Sequence, residues 1–492
     1  MTSSQLFMIA LGMPLLAAIV CVILSKHERL RDMLTLIASV GTFAAVVELF
    51  RQFQSGQVLS LHLADFGPGL ELALLVEPLG MTFALLASFL WIVTHIYGMG
   101  YMRGTNEKNQ GRFFACFSIA IFSTLGLAFS ANLLTLFVFY EVLTISTYPL
   151  VAHKQNEEAK AGARTYLAIL MGTSIVFLLT AIVWTQVLTG TMDFVQGGIL
   201  AGKAGDTLTL ILLLLFAFGI GKAALMPFHR WLPAAMVAPT PVSALLHAVA
   251  VVKAGVFSML KVGVYIFGLE NLSNTGASTW LMWLAAFSII AASLIAMRQD
   301  NLKKRLAHST VSQLSYITLG VGLATSMGAL GGGLHIVTHA FGKITLFMCA
   351  GAIYVATHKT EISQMRGLGR KMPITFIAFG IGSLSIIGVP PLAGSWSKWL
   401  LMVGAADAGQ QIMIGVLMLS SLLNVAYLIP VFANGFFDEH QHGHGKRWRD
   451  NISEAPWLCV APLCLSALGC LALFYYSTDI TEFLSPITAG GR

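Results

Sequence analysis

Five ionisable side chains lie inside long apolar stretches of this sequence. One is an acid, Glu141, and the other four are Lys222, Lys253, Lys343 and Lys398. An ionised side chain in hydrocarbon costs about 2.5 kcal/mol or more, so such residues usually pair with one another or line hydrated cavities. Because a buried lysine can give up its proton whereas arginine stays charged, this set favours a proton path over a lattice of salt bridges.

The pairing of Glu141 with Lys222 is the first hypothesis. A carboxylate at that depth needs a cation, and a changing Glu–Lys distance would control whether the lysine keeps its proton. The weaker alternatives are a structural acid satisfied by Tyr140 or Thr144, and a lysine that extends to the membrane surface.

Three titratable residues, His335, His339 and Lys343, recur every four residues and therefore share one face of a helix. An isolated histidine on an apolar helix is more often a core residue, but three groups in register favour a hydrated proton path. His247 lies six residues before Lys253 and would face another side of a regular helix, so it is the weaker candidate.

Three serines, Ser309, Ser312 and Ser315, recur at three-residue spacing in the segment HSTVSQLSY. The spacing suits the holding of water and close helix packing equally well. Both roles stay open on the sequence.

The composition requires a membrane. Hydrophobic residues make up 56% of the 492 residues and charged residues only 10%, with a mean hydropathy of +0.78, whereas soluble chains carry about 25% charged residues. Apolar runs near the roughly 20-residue length of a membrane span fall at about 5–25, 32–50, 76–97, 113–130, 132–151, 163–188, 207–228, 242–268, 277–297, 307–327, 332–357, 373–401, 408–434 and 456–477. These runs predict an all-α polytopic protein with about fourteen transmembrane helices and no large soluble domain.

Two of these helices contain prolines beside a candidate lysine. Pro227 follows Lys222 in predicted helix 7, and Pro390 and Pro391 precede Lys398 in predicted helix 12. Proline removes a backbone donor and disfavours helix at the preceding residue, so both helices are expected to be broken, the first just beyond its lysine. Interrupted helices in corresponding halves point to two inverted five-helix repeats, predicted helices 4–8 and 9–13.

The basic residues indicate orientation. Most of the 29 Lys and Arg residues lie in the loops after odd-numbered helices, which places those loops in the cytoplasm and both termini on the outer side of a bacterial-type cytoplasmic membrane. Outside that set, the loops and termini carry only Arg51, Lys203, Lys261 and Arg492. The chain divides into helices 1–3 (1–110), the first repeat (111–270), the second repeat (271–435) and a His-containing loop with helix 14 (436–492).

No cofactor or metal is predicted. The six cysteines are scattered through apolar runs without CxxC spacing, and there is no iron–sulfur, haem or zinc motif. His440, His442 and His444 alternate in one loop, but no partner ligands with a defined geometry accompany them, so a solvated loop is favoured over a metal site. The net charge of +7 is explained by topology and implies no nucleic acid.

Four segments resemble one known family, the antiporter-like membrane subunits shared by respiratory complex I, membrane-bound hydrogenases and Mrp-type multisubunit cation/proton antiporters. They are FYEVLTISTYPLVAH, GKAALMPFHRWLPAAMVAPTPVSALLHAVAVVKAGVF, HAFGKITLFMCAG and PPLAGSWSKWLL. The PTPVSALLHA run is similar to the largest complex I subunit, whose long lateral extension does not follow helix 14 here. The lysine in the last segment is similar to that of the D-type subunit of Mrp antiporters and of several relatives.

The resemblance implies a lateral proton route through the centre of the bilayer. Glu141 matches the glutamate that pairs with the helix-7 lysine, Lys222 matches that lysine, and Lys253, Lys343 and Lys398 match the later lysine positions. His247, His335 and His339 match polar positions on the same axis.

The implied function is a proton-translocating subunit of a hetero-oligomeric membrane complex, in the first place a Mrp-type Na⁺/proton antiporter. The alternative is the energy-coupling subunit of a complex I-like oxidoreductase, a membrane-bound hydrogenase or an inorganic-carbon uptake complex, with no redox chemistry of its own. Its expected partners are other membrane subunits, protons, Na⁺ and the lipid bilayer.

Overall fold

The computed structural model describes residues 2–67, 69–245, 250–437 and 452–488. Helices of the first part are α1 (Ser3–Ile23), α2 (Glu28–Gln54), α3 (Pro78–Gly104), α4 (Gln110–Ala128), α5 (Leu133–Val151), α6 (Glu157–Thr173), α7 (Leu179–Thr189), α8 (Asp206–Gly219), α9 (Trp231–Ala234), α10 (Thr240–Ala244), α11 (Val251–Val262) and α12 (Leu269–Thr275). Those of the second part are α13 (Thr279–Met297), α14 (Leu302–Gly322), α15 (Ser326–Thr357), α16 (Leu368–Lys371), α17 (Pro373–Ile387), α18 (Gly394–Asp407), α19 (Gln411–Phe437), α20 (Trp457–Tyr475) and α21 (Ser477–Leu484).

The chain is a multi-pass membrane protein. Among the described residues, 10 helices are long and apolar enough to cross a membrane, or 11 if a bent pair counts as one span. Each of the fourteen predicted runs contains at least one helix. The number fourteen, the two inverted repeats and the division into four regions stay predictions.

The predicted break in helix 7 is present, but it begins earlier than expected. Helix α8 already ends at Gly219, and a short 3-10 turn follows at Gly221–Ala223. A methyl group on Gly219 would lie 2.4 Å from the backbone nitrogen of Leu178, and one on Gly221 would lie 2.2 Å from Thr173 Oγ1. The two glycines therefore let the break lie directly against the π turn that joins α6 to α7.

The second predicted break separates α17 from α18. Helix α17 ends at Ile387, Gly388 follows with φ +90°, and regular helix resumes at Gly394. A further bend of 77° between Val251–Phe267 and α12 was not predicted. It lies at Gly268, whose φ of +79° favours glycine.

Helix α15 is the central helix of the second half. It runs for 32 residues, and its most apolar 18-residue window is wholly buried. A helix that is apolar on all sides is stable only inside a protein or a membrane, so α15 is surrounded by α14, α17, α18 and α20. It carries His335, His339 and Lys343.

A two-stranded antiparallel sheet precedes α3 and was not predicted. Strand β1 (Ser60–Asp65) pairs with β2 (Glu71–Leu75). The backbone of Leu74 then bridges to Ser130 at the start of the α5 segment. The hairpin thus covers the end of the helices where the loops carry few basic residues.

Candidate functional site

Lys222 lies in the interruption of its helix. Its side chain is fully buried, and Nζ donates hydrogen bonds to the carbonyl oxygen of Tyr140 at 2.7 Å and to Thr144 Oγ1 at 2.6 Å. Because the 3-10 turn includes the lysine, the expectation of a break just beyond Lys222 was wrong by a few residues. The helix ends where Gly219 and Gly221 contact Leu178 and Thr173, several residues before Pro227.

Glu141 lies on α5 beside the two groups that bind Lys222. Both of its carboxylate oxygens are buried, and neither has a hydrogen-bond partner or a cation within 4.0 Å among the described residues. Tyr140 and Thr144, which were the alternative partners for this acid, bind the lysine instead. Glu141 and the two residues that bind Lys222 thus lie on the same turn of α5, but the acid and the lysine do not form an ion pair.

Lys253 reaches α15. Its Nζ lies 2.8 Å from Nδ1 of His339, and both side chains are buried. Two residues further along α11, a methyl group on Gly255 would lie 2.2 Å from the carbonyl carbon of Lys222. Helix α11 therefore lies directly between the Lys222 turn and the histidines of α15.

The two histidines continue this series of polar groups towards α18. The rings of His339 and His335 have centroids 5.6 Å apart. His335 Nδ1 lies 2.9 Å from Ser397 Oγ, and its ring stacks on Tyr316 at 5.3 Å. The Nζ of Lys398 lies 5.2 Å from the centre of that tyrosine ring.

Lys398 lies in the first turns of α18, and its side chain extends back to the second break. Its Nζ donates to the carbonyl oxygen of Ile387 at 2.8 Å and to Ser421 Oγ at 2.9 Å. Ile387 is the last residue of α17, where carbonyl oxygens lack helical partners and a cation is favoured. The break thus supplies the ligand that makes a buried ammonium tolerable.

Lys343 turns away from the two histidines that share its face of α15. Its Nζ donates to Ser309 Oγ at 2.6 Å and lies 3.4 Å from the carbonyl oxygen of Leu306. The Ser309 hydroxyl is 2.7 Å from Tyr427 Oη, and that phenol donates to Asn424. Lys343 therefore begins a second polar branch that leads to α19.

Helix α19 supplies residues that sequence reasoning missed, namely Ser421, Asn424 and Tyr427. Their spacing of three residues places them on one face of an apolar helix, which was the available signal. The predicted serine series separates by role, because Ser309 binds Lys343 whereas Ser312 bonds to Ser293 and to the backbone of the neighbouring α13.

The structure corrects the predicted location of Lys261. It was counted among the residues of a sparsely basic loop, but it lies inside α11 and is fully buried. Its Nζ is 3.2 Å from Glu77 Oε1. The predicted run 242–268 already contained this position, and the helix continues past it through a π turn, Gly263–Phe267, so the assignment of Lys261 to a loop was wrong.

Two predictions lie outside the described residues. These are His247 and the loop histidines His440, His442 and His444. Within the part of the chain that the structure describes, no group of three or more His, Cys, Asp or Glu side chains has the arrangement of a metal site.

Comparison with known proteins identifies the family. Residues 130–424 match the family described as NADH:quinone oxidoreductase/Mrp antiporter, TM, and residues 66–114 match NADH-Ubiquinone oxidoreductase (complex I), chain 5 N-terminus. The chain belongs to this family of antiporter-like membrane subunits. The first match contains Glu141, the four lysines of the candidate path and both described histidines of α15.

Curated relatives of this antiporter-like subunit are named as parts of quinone oxidoreductases. NADH-quinone oxidoreductase subunit N of Desulforudis audaxviator is 31% identical over 82% of this chain and 80% of its own length. Subunit L of Mycobacterium tuberculosis is 32% identical over 86% of this chain and 66% of its own length. NAD(P)H-quinone oxidoreductase chain 5 of Synechocystis is 34% identical over 67% of this chain and 49% of its own length. The chain thus spans about half to two thirds of the subunit L and chain 5 relatives.

Two solved structures share the fold of the antiporter-like subunit. A chain of the Mrp complex from Dietzia sp. matches with a TM-score of 0.85 and 23% identity, over 99% of this chain and 97% of that one. A chain of the membrane-bound sulfane sulfur reductase, an archaeal respiratory membrane complex, matches with a TM-score of 0.87 and 24% identity. The match covers 99% of this chain and 98% of that one.

Proposed function

We propose that this antiporter-like subunit translocates protons within a multisubunit membrane complex, and that the complex is a Mrp-type antiporter that exchanges a monovalent cation such as Na⁺ for protons. The observation that carries the proposal is the series of buried groups from Lys253 through His339 and His335 to Ser397 and Lys398. Lysine and histidine are the side chains whose protonation can change when they are buried.

The proton is loaded at the break in predicted helix 7. When Glu141 approaches, its negative charge favours the ammonium form of Lys222; when it withdraws, the ammonium form loses that support. Tyr140 and Thr144 hold the lysine by neutral oxygens in the meantime, so its position does not depend on the carboxylate. A change in the Glu–Lys distance therefore drives the proton onward.

The proton then crosses α15. An ammonium at Lys253 gives its proton to Nδ1 of His339 over the 2.8 Å contact, which leaves a neutral amine and an imidazolium. His339 passes a proton to His335, and Ser397 connects His335 with the segment that carries Lys398. Each transfer leaves the donor neutral, so no buried charge accumulates behind the proton.

The proposed setting is a bacterial-type cytoplasmic membrane with both termini outside and with inverted repeats formed by predicted helices 4–8 and 9–13. Other membrane subunits and the lipid bilayer are the partners, and no cofactor is assigned to this chain. Protons enter near Glu141 and Lys222 and leave beyond Lys398.

The second candidate is the proton-pumping subunit of a complex I-like oxidoreductase, and the names of the relatives at 31–34% identity favour it. In that case the same path would be driven by electron transfer in other subunits. A hydrogenase or an inorganic-carbon uptake complex would use the chain in the same way.

The test uses everted membrane vesicles that contain the assembled complex. We expect Na⁺ addition to collapse an imposed pH gradient, and Lys222→Ala or Glu141→Ala to abolish this collapse at unchanged subunit levels. A matched control is Lys160→Ala, which removes a lysine of the exposed Glu157–Lys160 pair and leaves transport unchanged.

The same vesicles separate the candidates. Antiport requires only the cation gradient, whereas a complex I-like pump acidifies the vesicles on addition of an electron donor. Full transport in either the Lys222 or the Glu141 variant would refute the path. Proton flux through the isolated chain in liposomes is not expected, because the driving cation or electron reactions belong to the complex.

A further inference from the structure

Three buried side chains near Lys398 carry polar atoms that have no hydrogen-bond partner among the described residues. The atoms are Oε1 and Nε2 of Gln313, Oη of Tyr316 and Oγ of Ser420, and all three residues are fully buried. Buried polar groups in proteins are almost always satisfied by the chain, by ordered water or by a ligand. These atoms therefore mark a place where something other than the chain supplies the contacts.

The three side chains converge from two helices. Gln313 and Tyr316 are one turn apart on α14, and Ser420 and Asn424 are one turn apart on α19. The hydroxyl of Tyr316 interacts with the side chains of Gln313, Ser420, Ser421 and Asn424. No hydrogen bond of good geometry joins the hydroxyl to any of them. Several side-chain oxygens thus face one another without closing on themselves.

The Lys398 ammonium lies at the edge of this group of oxygens. Its Nζ is 2.9 Å from Ser421 Oγ, 2.8 Å from the carbonyl oxygen of Ile387 and 5.2 Å from the ring centre of Tyr316. The carbonyl belongs to the C-terminal end of α17, at the second break. Such ends of interrupted membrane helices are known to coordinate Na⁺ and protons. The ammonium therefore shares its ligands with a place suited to a monovalent cation.

The surroundings of Lys398 carry no negative charge. Helix α18 packs against α14, α15, α17, α19 and α20. The titratable side chains of these helices near the lysine are Tyr316, His335, Tyr427 and Cys470, and α17 has none. None of the ion pairs among the described residues includes Lys398. Because phenols, thiols and imidazoles are not anionic near neutral pH, the site favours one cation at a time.

We propose that Na⁺ binds among these oxygens when Lys398 is neutral, and that Na⁺ and the lysine proton exclude each other. The ligands of this sodium site are the side-chain oxygens of Gln313, Tyr316, Ser420, Ser421 and Asn424. The Lys398 ammonium releases its proton in the exit direction, which leaves a neutral amine, and Na⁺ enters from that side and restores the single positive charge. A proton that arrives from His335 through Ser397 re-forms the ammonium and expels Na⁺, so one proton is exchanged for one Na⁺. The proposal rests on the proposed function, because it needs proton delivery to Lys398.

The exclusion has a measurable size. Two unit charges about 4 Å apart, at an effective dielectric constant of about 20, repel each other enough to weaken binding by about 1000-fold. Since Ser421 is shared, Na⁺ and the ammonium would lie at about this distance. The affinity for Na⁺ should therefore rise by about 10-fold for each unit of increase in pH while Lys398 is protonated, because only the neutral form binds. A water molecule at the same place carries no charge and shows no such coupling.

The first experiment measures Na⁺ binding to the purified complex by isothermal titration calorimetry, with choline chloride as the reference salt. We expect the apparent Kd to fall by about 10-fold for each unit between about pH 7 and pH 9. The Lys398→Met complex should bind Na⁺ with one Kd over the whole range, since it keeps the oxygens and loses the competing charge. A wild-type Kd that does not depend on pH overturns the sodium site.

The second experiment locates the bound Na⁺. The double variant Gln313→Leu with Ser420→Ala removes ligands that do not bind the ammonium. We expect at least 10-fold weaker Na⁺ binding at alkaline pH, and an equal increase in the Na⁺ concentration that half-collapses the pH gradient in vesicles, at an unchanged maximal rate. The melting temperature should not fall, because the removed atoms have no partners. Wild-type Na⁺ affinity in this variant overturns the site.

The matched control is Ser118→Ala with Thr124→Val. Both hydroxyls are fully buried and donate only to carbonyl oxygens of their own helix, so the control should bind Na⁺ and transport as wild type. Tyr316→Phe decides the matter if the double variant does not assemble. It removes one oxygen and keeps the ring, and an unchanged Na⁺ affinity overturns the site.

The sodium site and the proposed proton path can fail separately. Binding is measured at equilibrium, so we expect the Lys222→Ala complex to bind Na⁺ as wild type although it transports no protons. Absence of Na⁺ binding in the wild type, together with an inactive Lys222→Ala variant, overturns the sodium site and leaves the proton path standing. Full proton transport in Lys222→Ala overturns the proton path and the exchange cycle that rests on it.

Discussion

The contact of Gly255 with the Lys222 turn allows a quantitative test of how α11 positions the path. A methyl group at position 255 would lie 2.2 Å from the carbonyl carbon of Lys222, 2.3 Å from the nitrogen of Ala223 and 2.6 Å from the Lys222 oxygen. All three atoms belong to the backbone, so no side chain can rotate away. The Gly255→Ala variant must therefore separate α11 from the break by about 1 Å to restore ordinary packing.

Two consequences follow from that movement. Overpacking of this kind costs about 1–3 kcal/mol in the free energy of unfolding, which for a chain of 492 residues corresponds to a decrease of about 1–3 °C in melting temperature. Because α11 lies between this turn and α15, the same movement would shift Lys253 and misalign its 2.8 Å contact with His339. Because a misplacement near 1 Å can cost about 100-fold in a reaction that depends on alignment, we expect proton transport to fall by about 10- to 100-fold.

The assay compares Gly255→Ala with Gly172→Ala in the purified complex. Gly172 is also in a helix, but a methyl group there meets no atom within 4 Å. Its replacement should stabilise α6 by about 0.5–1 kcal/mol and leave transport unchanged. A Gly255→Ala complex with wild-type melting temperature and wild-type transport would refute the packing of α11 against the Lys222 turn.

Two further predictions concern other parts of the chain. Ser309→Ala should slow transport and destabilise the protein by about 1.5–3 kcal/mol, since it removes a hydrogen bond of 2.6 Å from the Lys343 ammonium, whereas Ser312→Ala should leave transport intact. Equal transport in both vesicle preparations would contradict the branch through Lys343. His153 follows α5, and burial, as the largest cause, together with the nearby Arg112 guanidinium lowers the pKa of this imidazole from 6.5 to about 4. The unfolded chain therefore binds the extra proton as pH falls from 6.5 to 4, so melting curves should show a loss of up to about 3 kcal/mol over this window. His153→Gln should flatten that pH dependence, and an unchanged slope would contradict the assignment.

The sequence was sufficient for the class of fold because hydrophobic length and proline act locally. Each predicted run contains a helix, and Pro390 and Pro391 interrupt the helix before Lys398 as expected. The earlier break at Lys222 was not predictable, because it depends on Gly219 and Gly221 lying against a π turn that is distant in sequence.

The side-chain contacts within the candidate site were harder to predict than the helices, because they depend on tertiary structure. The spacing of His335, His339 and Lys343 predicted a common face of one helix, but a helical face can meet more than one neighbouring helix. Here it meets α11 and α18 at the histidines and α14 at the lysine. The periodicity specifies which residues lie together on α15 and leaves their partners undetermined.

Backbone carbonyl oxygens bind three of the buried lysines, and this explains how a buried lysine near an interrupted helix can take up and release a proton. Lys222 binds the carbonyl oxygen of Tyr140, Lys398 that of Ile387 and Lys261 that of Ser130. A carbonyl dipole stabilises an ammonium but carries no net charge, so departure of the proton leaves no unpaired charge on the group that binds the lysine. A fixed carboxylate at each site would instead hold the proton, and this is the arrangement that only Lys261, beside Glu77, shows among these three. In the proposed path, Lys222 and Lys398 are held by neutral oxygens and can pass the proton on, whereas Lys261, which lies outside that path, is held by a carboxylate and keeps its proton.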